Sequence, residues 1–190
     1  FFSTQDGSTV KDVDLPLPAG ARVASFSAAR PNSGVVALGL DNGQALVVRH
    51  RYKVSFADDQ RLITPVIEYP LGREPVEIAP SGAALLKMAL QQEESFTLVG
   101  WTDTSLLSVV RAELQESLFD EGSFEFQRSS GYTDLENLAA LLIDPTQRNL
   151  YVVSRNGRLA WFDISDLSGS RLREQISVSP SGVQVRDVQL

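Results

Sequence analysis

Apolar and polar positions alternate in short runs along this chain, and turn residues cut the runs apart at close spacing. The clearest stretch is 142–164, LIDPTQRNLYVVSRNGRLAWFDI. Asp144-Pro145 and the polar residues up to Asn149 have loop chemistry. The run LYVV at 150–153 favours strand, Asn156-Gly157 is a strong hairpin signal, and 158–164 resumes strand character. The pattern predicts strand, turn, strand, tight turn, strand.

Weaker copies fill the rest of the chain. Residues 23–27 alternate as a half-buried strand does. Strands over 35–40 and 45–48 flank Asp41-Asn42-Gly43, and 49–56 continues extended into a charged turn at 58–61. A strand over 62–69 contains Pro65, which argues for an edge position or a break. Residues 76–78 are short and extended. Residues 83–90 contain helix formers, but their neighbours favour strand, and strand is expected. Strands over 96–101 and 105–111 flank a turn at 102–104. The acid-rich 113–121 reads as a solvated connection, followed by an outer strand at 124–127. Thr133 and Glu136 have capping-box spacing, so 135–141 reads equally as a short helix or an inner strand. Strands are expected at 174–178 and 183–190, and a hairpin over 1–15 turning at Asp6-Gly7.

Four hairpins align by their turns: FFSTQDGSTVKDV, VVALGLDNGQALVV, TLVGWTDTSLLSVV and LYVVSRNGRLAWFD. Each has an apolar strand, a small residue, a turn and a second strand. Successive turns are 36, 60 and 54 residues apart, too uneven for a uniform solenoid. Propeller blades repeat every ~40–50 residues and tolerate inserts. A blade cannot bury both faces alone, but stacked blades bury each other. The expected fold is all-β: a partial or open β-propeller of about three four-stranded blades plus flanking strands. Its parts are a blade remnant at 1–22, blades at roughly 23–75, 76–131 and 132–178, and a terminal strand at 183–190. Both ends look cut, so the chain reads as a piece of a longer protein, and its unpaired edge strands are expected to self-associate.

Composition narrows the function classes. Seventeen basic against twenty-four acidic residues give a net charge of −7, opposite to the basic surplus of nucleic-acid binders. Without cysteine there are no disulfides or thiolate metal sites, and one histidine leaves little scope for a His-rich centre. No apolar run reaches the ~18 residues of a membrane span.

The stretch RPNSGVVALGLDNGQALVVRHRYKVSFADDQRLITPVIEYPLGREPVEI, together with IDPTQRNLYVVSRNGRLAWFDI, resembles the large extra-membrane domain found in a subfamily of bacterial phosphate ABC transporter permeases (PstC-like). The resemblance spans roughly 24–164. It implies a WD-repeat-type propeller on the periplasmic side of the inner membrane, within a membrane-embedded parent protein. It also implies transporter subunits or the phosphate-binding protein as partners. It carries over no catalytic or phosphate-binding motif.

Candidate chemistry is sparse. Arg49, Arg51 and Lys53 share one strand face by period two, and form a candidate anion or partner patch, or a charged strand kept unsticky. His50 lies on the opposite face with Tyr52 and Val54. Trp101 and Trp161 sit within or beside apolar strands, where packing is the expected role. Asp144, Asp163 and Asp166 lack metal-ligand spacing, and Ser25, Ser27 and Ser33 lack a histidine placed to activate them. No nucleophile elbow or glycine-rich phosphate loop occurs. No catalytic residue, metal or cofactor is expected. The leading expectation is a non-catalytic interaction or regulatory domain. The rivals are a lactonase-like propeller hydrolase and a scaffold unrelated to transport.

Overall fold

Short β-rich runs separated by turns produce thirteen strands among the residues described, 12–30, 33–57, 60–115, 123–168 and 174–178 of a computed structural model. The first sheet runs in the order β1 (Val23–Ala28), β2 (Val35–Leu40), β3 (Gln44–Ala57), β4 (Gln60–Glu68), with the short β5 (Val76–Glu77) paired to β3. The second is β6 (Leu85–Gln92), β7 (Phe96–Thr102), β8 (Leu106–Gln115), β9 (Ser123–Tyr132). The third is β10 (Leu138–Ile143), β11 (Asn149–Ser154), β12 (Leu159–Asp163), β13 (Glu174–Val178). Every pairing is antiparallel, and no sheet closes on itself. The fold is all-β, an open propeller-like arc of three sheets.

Burial explains the sequence texture of each sheet. The second sheet is covered on both faces, so β7 and most of β8 are buried and read as nearly continuous apolar runs. Val35, Ala37, Ala45 and Val47 of the first sheet pack with Met88, Leu90, Leu98 and Val110 of the second. On its other side, Ala89, Val99, Leu107 and Val109 pack with Leu141, Leu150, Val152 and Phe162 of the third. The outer sheets keep the alternation of half-buried strands. The small residue before each turn is a matter of space. A Cβ on Gly39 would stand 2.6 Å from Met88 Cγ, and one on Gly100 2.8 Å from the Leu85 and Ile78 side chains.

The first strands of the sheets share one side of the arc, where β6 packs against β1 and β10. Each is irregular near its start. Pairing slips between Val23 and Ser25, between Leu85 and Lys87, and between Leu138 and Ala140, as a β-bulge does.

Several sequence expectations change. Within 83–90 the strand expected from the neighbours rather than from propensity forms from Leu85 onward, as β6, and most of 135–141 is strand too: tertiary pairing of β10 with β11 overrides the helix reading. Thr133 Oγ1 instead accepts a 3.2 Å bond from the Leu135 N–H in an irregular stretch. Gln60 and Arg61 belong to β4 rather than a turn, and residues 113–115 end β8. Residue 76, expected to open the second blade, pairs into the first sheet. The Asp6-Gly7 turn, the centre of the 58–61 turn, residues 116–121, the Pro180-Ser181-Gly182 turn and the strand at 183–190 lie outside the described residues.

Candidate interaction surface

Pairing length leaves an exposed feature on the first sheet. β2 pairs β3 only from Ala45 to Arg49, whereas β4 pairs it from Arg49 to Ala57. The β3–β4 hairpin therefore projects beyond the rest of its sheet. Period two divides the arm. Tyr52, Val54 and Ile63 lie on one face with Phe56, and Arg51, Lys53 and Thr64 lie on the other. Tyr52, Val54, Phe56, Leu62 and Ile63 are all exposed, Phe56 by 76%.

Arg49, Arg51 and Lys53 do share a face, but they do not form an open cation cluster. Glu68 sits directly across from Arg49, its Oε2 3.2 Å from Arg51 Nε and 3.9 Å from Arg49 Nη1. Among the described residues Lys53 has no ion pair and faces Thr64. The arrangement is a weakly basic row half-neutralised by one carboxylate. It suits a mixed polar contact better than tight capture of a free anion.

The other candidates have structural partners. His50 Nδ1 lies 3.2 Å from the Gly34 carbonyl oxygen, and its ring stands edge-on to Tyr52 at 5.9 Å. Trp101 packs against the core between the second and third sheets. Trp161 Nε1 donates to Asn149 Oδ1 at 2.9 Å on the outer face of the third sheet. Asp144 closes its loop by accepting from Thr146 Oγ1 at 2.6 Å and from the Arg148 and Asn149 N–H groups at 2.8 and 2.9 Å. Burial raises its carboxyl, but those hydrogen bonds outweigh that and hold it below the usual carboxylate range. Hydrogen bonds from Ser165 and Ser168 lower Asp163 and Asp166 in the same way. Ser25 donates to the Leu85 carbonyl at 2.5 Å and Ser33 to the Arg30 carbonyl at 3.0 Å. Among the described residues no three His, Cys, Asp or Glu side chains are grouped to hold a metal.

Sequence reasoning passed over Arg111. Its side chain is 9% exposed, and it spans two sheets: Nη2 donates to the Gln147 and Ile164 carbonyls at 2.6 and 2.8 Å, and Nη1 to the Ser165 carbonyl at 3.3 Å. Desolvation lowers its pKa and the nearby Glu113 raises it, desolvation being the larger effect. The available signal was a lone cation inside the apolar run LLSVVRA.

One further surface lies where the sheets converge. A cavity of about 460 Å³ is lined by 24–26 of β1, 86–88 of β6 and 139–141 of β10, so the residue skipped by each bulge (Ala24, Leu86 and Ala139) faces it. No family model matches this chain, and no curated protein matches it.

Proposed function

We propose that this chain is a non-catalytic interaction domain of the phosphate-type ABC permease family it resembles, standing on the periplasmic side of the bacterial inner membrane. Its partner is the phosphate-binding protein that delivers substrate to the permease. The observation carrying this reading is the projecting arm. Among the described residues, seven of the eleven exposed large apolar side chains lie on the first sheet, and five of those seven are on the β3–β4 hairpin. Concentrated apolar exposure of that kind marks a contact surface rather than ordinary solvent-facing structure. The adjoining row of Arg49, Arg51 and Lys53 supplies a polar rim with Glu68.

Titration calorimetry of the domain with the phosphate-binding protein, loaded and empty, tests the proposal. The expected result is saturable binding that depends on loading. The Tyr52→Ser/Phe56→Ser variant should weaken it by about tenfold or more, as loss of an aromatic anchor does. Absence of binding to either form overturns the proposal.

A further inference from the structure

Strand pairing sorts the side chains of β8 and β9 onto two faces, and one of these is apolar except at its middle. On that face Leu106, Ser108 and Val110 of β8 stand opposite Tyr132, Ser130 and Arg128 of β9. The face turns toward the first sheet, since Leu106 and Val110 belong to the apolar cluster those two sheets share. Between it and the 77–80 segment lies a cavity of about 580 Å³. A cavity of that size suits a small molecule.

Ser108 is 3% exposed, and its hydroxyl makes no hydrogen bond among the described residues. A buried hydroxyl without a partner costs folding free energy that an alanine would avoid. The hydroxyl is not sealed in: among the described residues the sealed polar side-chain atom without a partner is Trp101 Nε1. Ser108 borders the cavity, so its hydroxyl opens there. Directly across the pair, half-buried Ser130 likewise makes no side-chain hydrogen bond among the described residues. Arg128, the next side chain along β9 on this face, is exposed at the rim. Its guanidinium lies 5.2 Å from the centre of the Phe126 ring and has no ion pair or hydrogen bond among the described residues. Stacking through a planar face leaves the in-plane N–H donors available. No acid of β8 or β9 shares this face, because Glu113 and Glu125 oppose each other on the other one. Glu77 borders the cavity, but its strand neighbour Val76 points into the shared cluster, so alternation turns the Glu77 carboxylate the other way.

We propose that this cavity binds a small organic carboxylate with an apolar body. Arg128 supplies the charge and a two-pronged fork that matches a carboxylate. Ser130 and Ser108 supply hydroxyl donors inward of the rim, their Cβ atoms about 5 Å apart as in any directly opposed pair. One cation with two neutral donors balances a single negative charge, which suits a monocarboxylate better than a phosphate dianion. Leu106, Ile78 and the Ala79-Pro80 segment form the apolar wall against which the body of the ligand lies. None of the residues of the projecting arm borders this cavity, so the site stands apart from the partner reading above.

The probe is phenylacetate, titrated into the 190-residue chain and followed by backbone amide NMR shifts. Saturable shifts should centre on Ser108, Ser130 and the 78–79 segment. Phenylacetamide has the same body without the charge and should bind about tenfold more weakly or worse, the worth of a charge-assisted hydrogen bond. Inorganic phosphate, which has no apolar body, should also bind more weakly than phenylacetate. Arg128→Gln changes an exposed position and should weaken phenylacetate by about tenfold, and Ser108→Ala by about fivefold. Without ligand, Ser108→Ala should unfold at a urea concentration equal to or above that of the wild type, because it removes a buried hydroxyl that lacks a partner. Four results would each overturn the site: no saturable shift, equal binding of phenylacetamide or phosphate, undiminished binding by Arg128→Gln, or a lower urea midpoint for Ser108→Ala. The last would mean that the hydroxyl serves the fold. None of these outcomes bears on binding of the phosphate-binding protein through the arm.

Discussion

At the scale of single residues, Arg111 is the most consequential polar side chain. Its guanidinium satisfies three carbonyls that belong to the third sheet's connections, and its Nε lies 3.4 Å from Thr97 Oγ1. Arg111→Leu leaves those buried acceptors without a donor and should cost about 2–4 kcal/mol, measured by urea unfolding. Arg111→Lys should recover only part of this, because an ammonium lacks the planar fork that reaches several carbonyls at once. A loss under about 0.5 kcal/mol for the leucine variant, the size of a neutral surface change, would show that the bonds do not join the sheets. Asp144 makes a pH prediction. Its folded-state pKa is depressed because hydrogen bonds from Thr146, Asn149 and Arg148 outweigh the effect of burial. A depressed carboxyl stabilises the fold above its unfolded pKa of about 3.9, and the contribution is lost as pH falls through the lower folded value. Urea resistance should therefore fall more steeply from about pH 5 to about pH 3 in the wild type than in Asp144→Asn, which has no such charge to lose. Equal slopes would remove Asp144 from the acid response.

At the scale of elements, turns and edges were legible while the arm and the sheet contacts were not. Asp41-Asn42-Gly43 identified its hairpin because a glycine there admits a left-handed backbone, and Gly43 has φ +88°. The structure adds that a Cβ on Gly43 would stand 2.7 Å from the Ala79 and Pro80 carbonyl oxygens, while its own carbonyl accepts from the Ile78 and Ala79 N–H groups. Gly43→Ala should thus cost about 1–3 kcal/mol in thermal unfolding, from backbone strain joined by that clash. Pro65 correctly placed β4 at an edge. A proline there removes a donor from the row that would template another strand. Pro65→Val should raise light scattering on incubation at matched concentration, and an unchanged rate would assign edge protection to other features. What the sequence did not disclose was length. The run 49–68 reads as two strands, but that they outrun β2 and form an arm depends on where β2 stops. Arg49, Arg51 and Lys53 were rightly grouped on one face, yet the Glu68 that half-neutralises them lies across the hairpin at a distance set only by register. The 135–141 segment shows the converse, since local capping signals there were overruled by pairing with β11.

At the scale of the molecule, the middle sheet sets the stability of the whole. It shares one apolar cluster with the first sheet and another with the third, so opening either contact exposes part of it. Leu98 and Val99 are adjacent, fully buried, and point to opposite clusters. Alternation along one strand thus links the two interfaces through a single backbone. The outer sheets lack that double cover: β1 is mostly exposed and β2 alternates. Opening should therefore begin at the outer sheets and reach the middle one last, because local stability follows the density of buried apolar contacts. Native-state hydrogen exchange should show the slowest amides in β7 and β8, exchanging at the free energy of global unfolding, with faster exchange in β1 and β2 through partial opening. Leu98→Ala should speed exchange in the first sheet most, and a truncation at Leu150, which lies in the second cluster, should speed the third sheet most. Each truncation also lowers the global limit by about 2–5 kcal/mol, the cost of an unfilled core cavity. If either truncation instead accelerated all three sheets equally, the arc would unfold as one unit. The two clusters would then be a single cooperative core rather than successive contacts between stacked sheets.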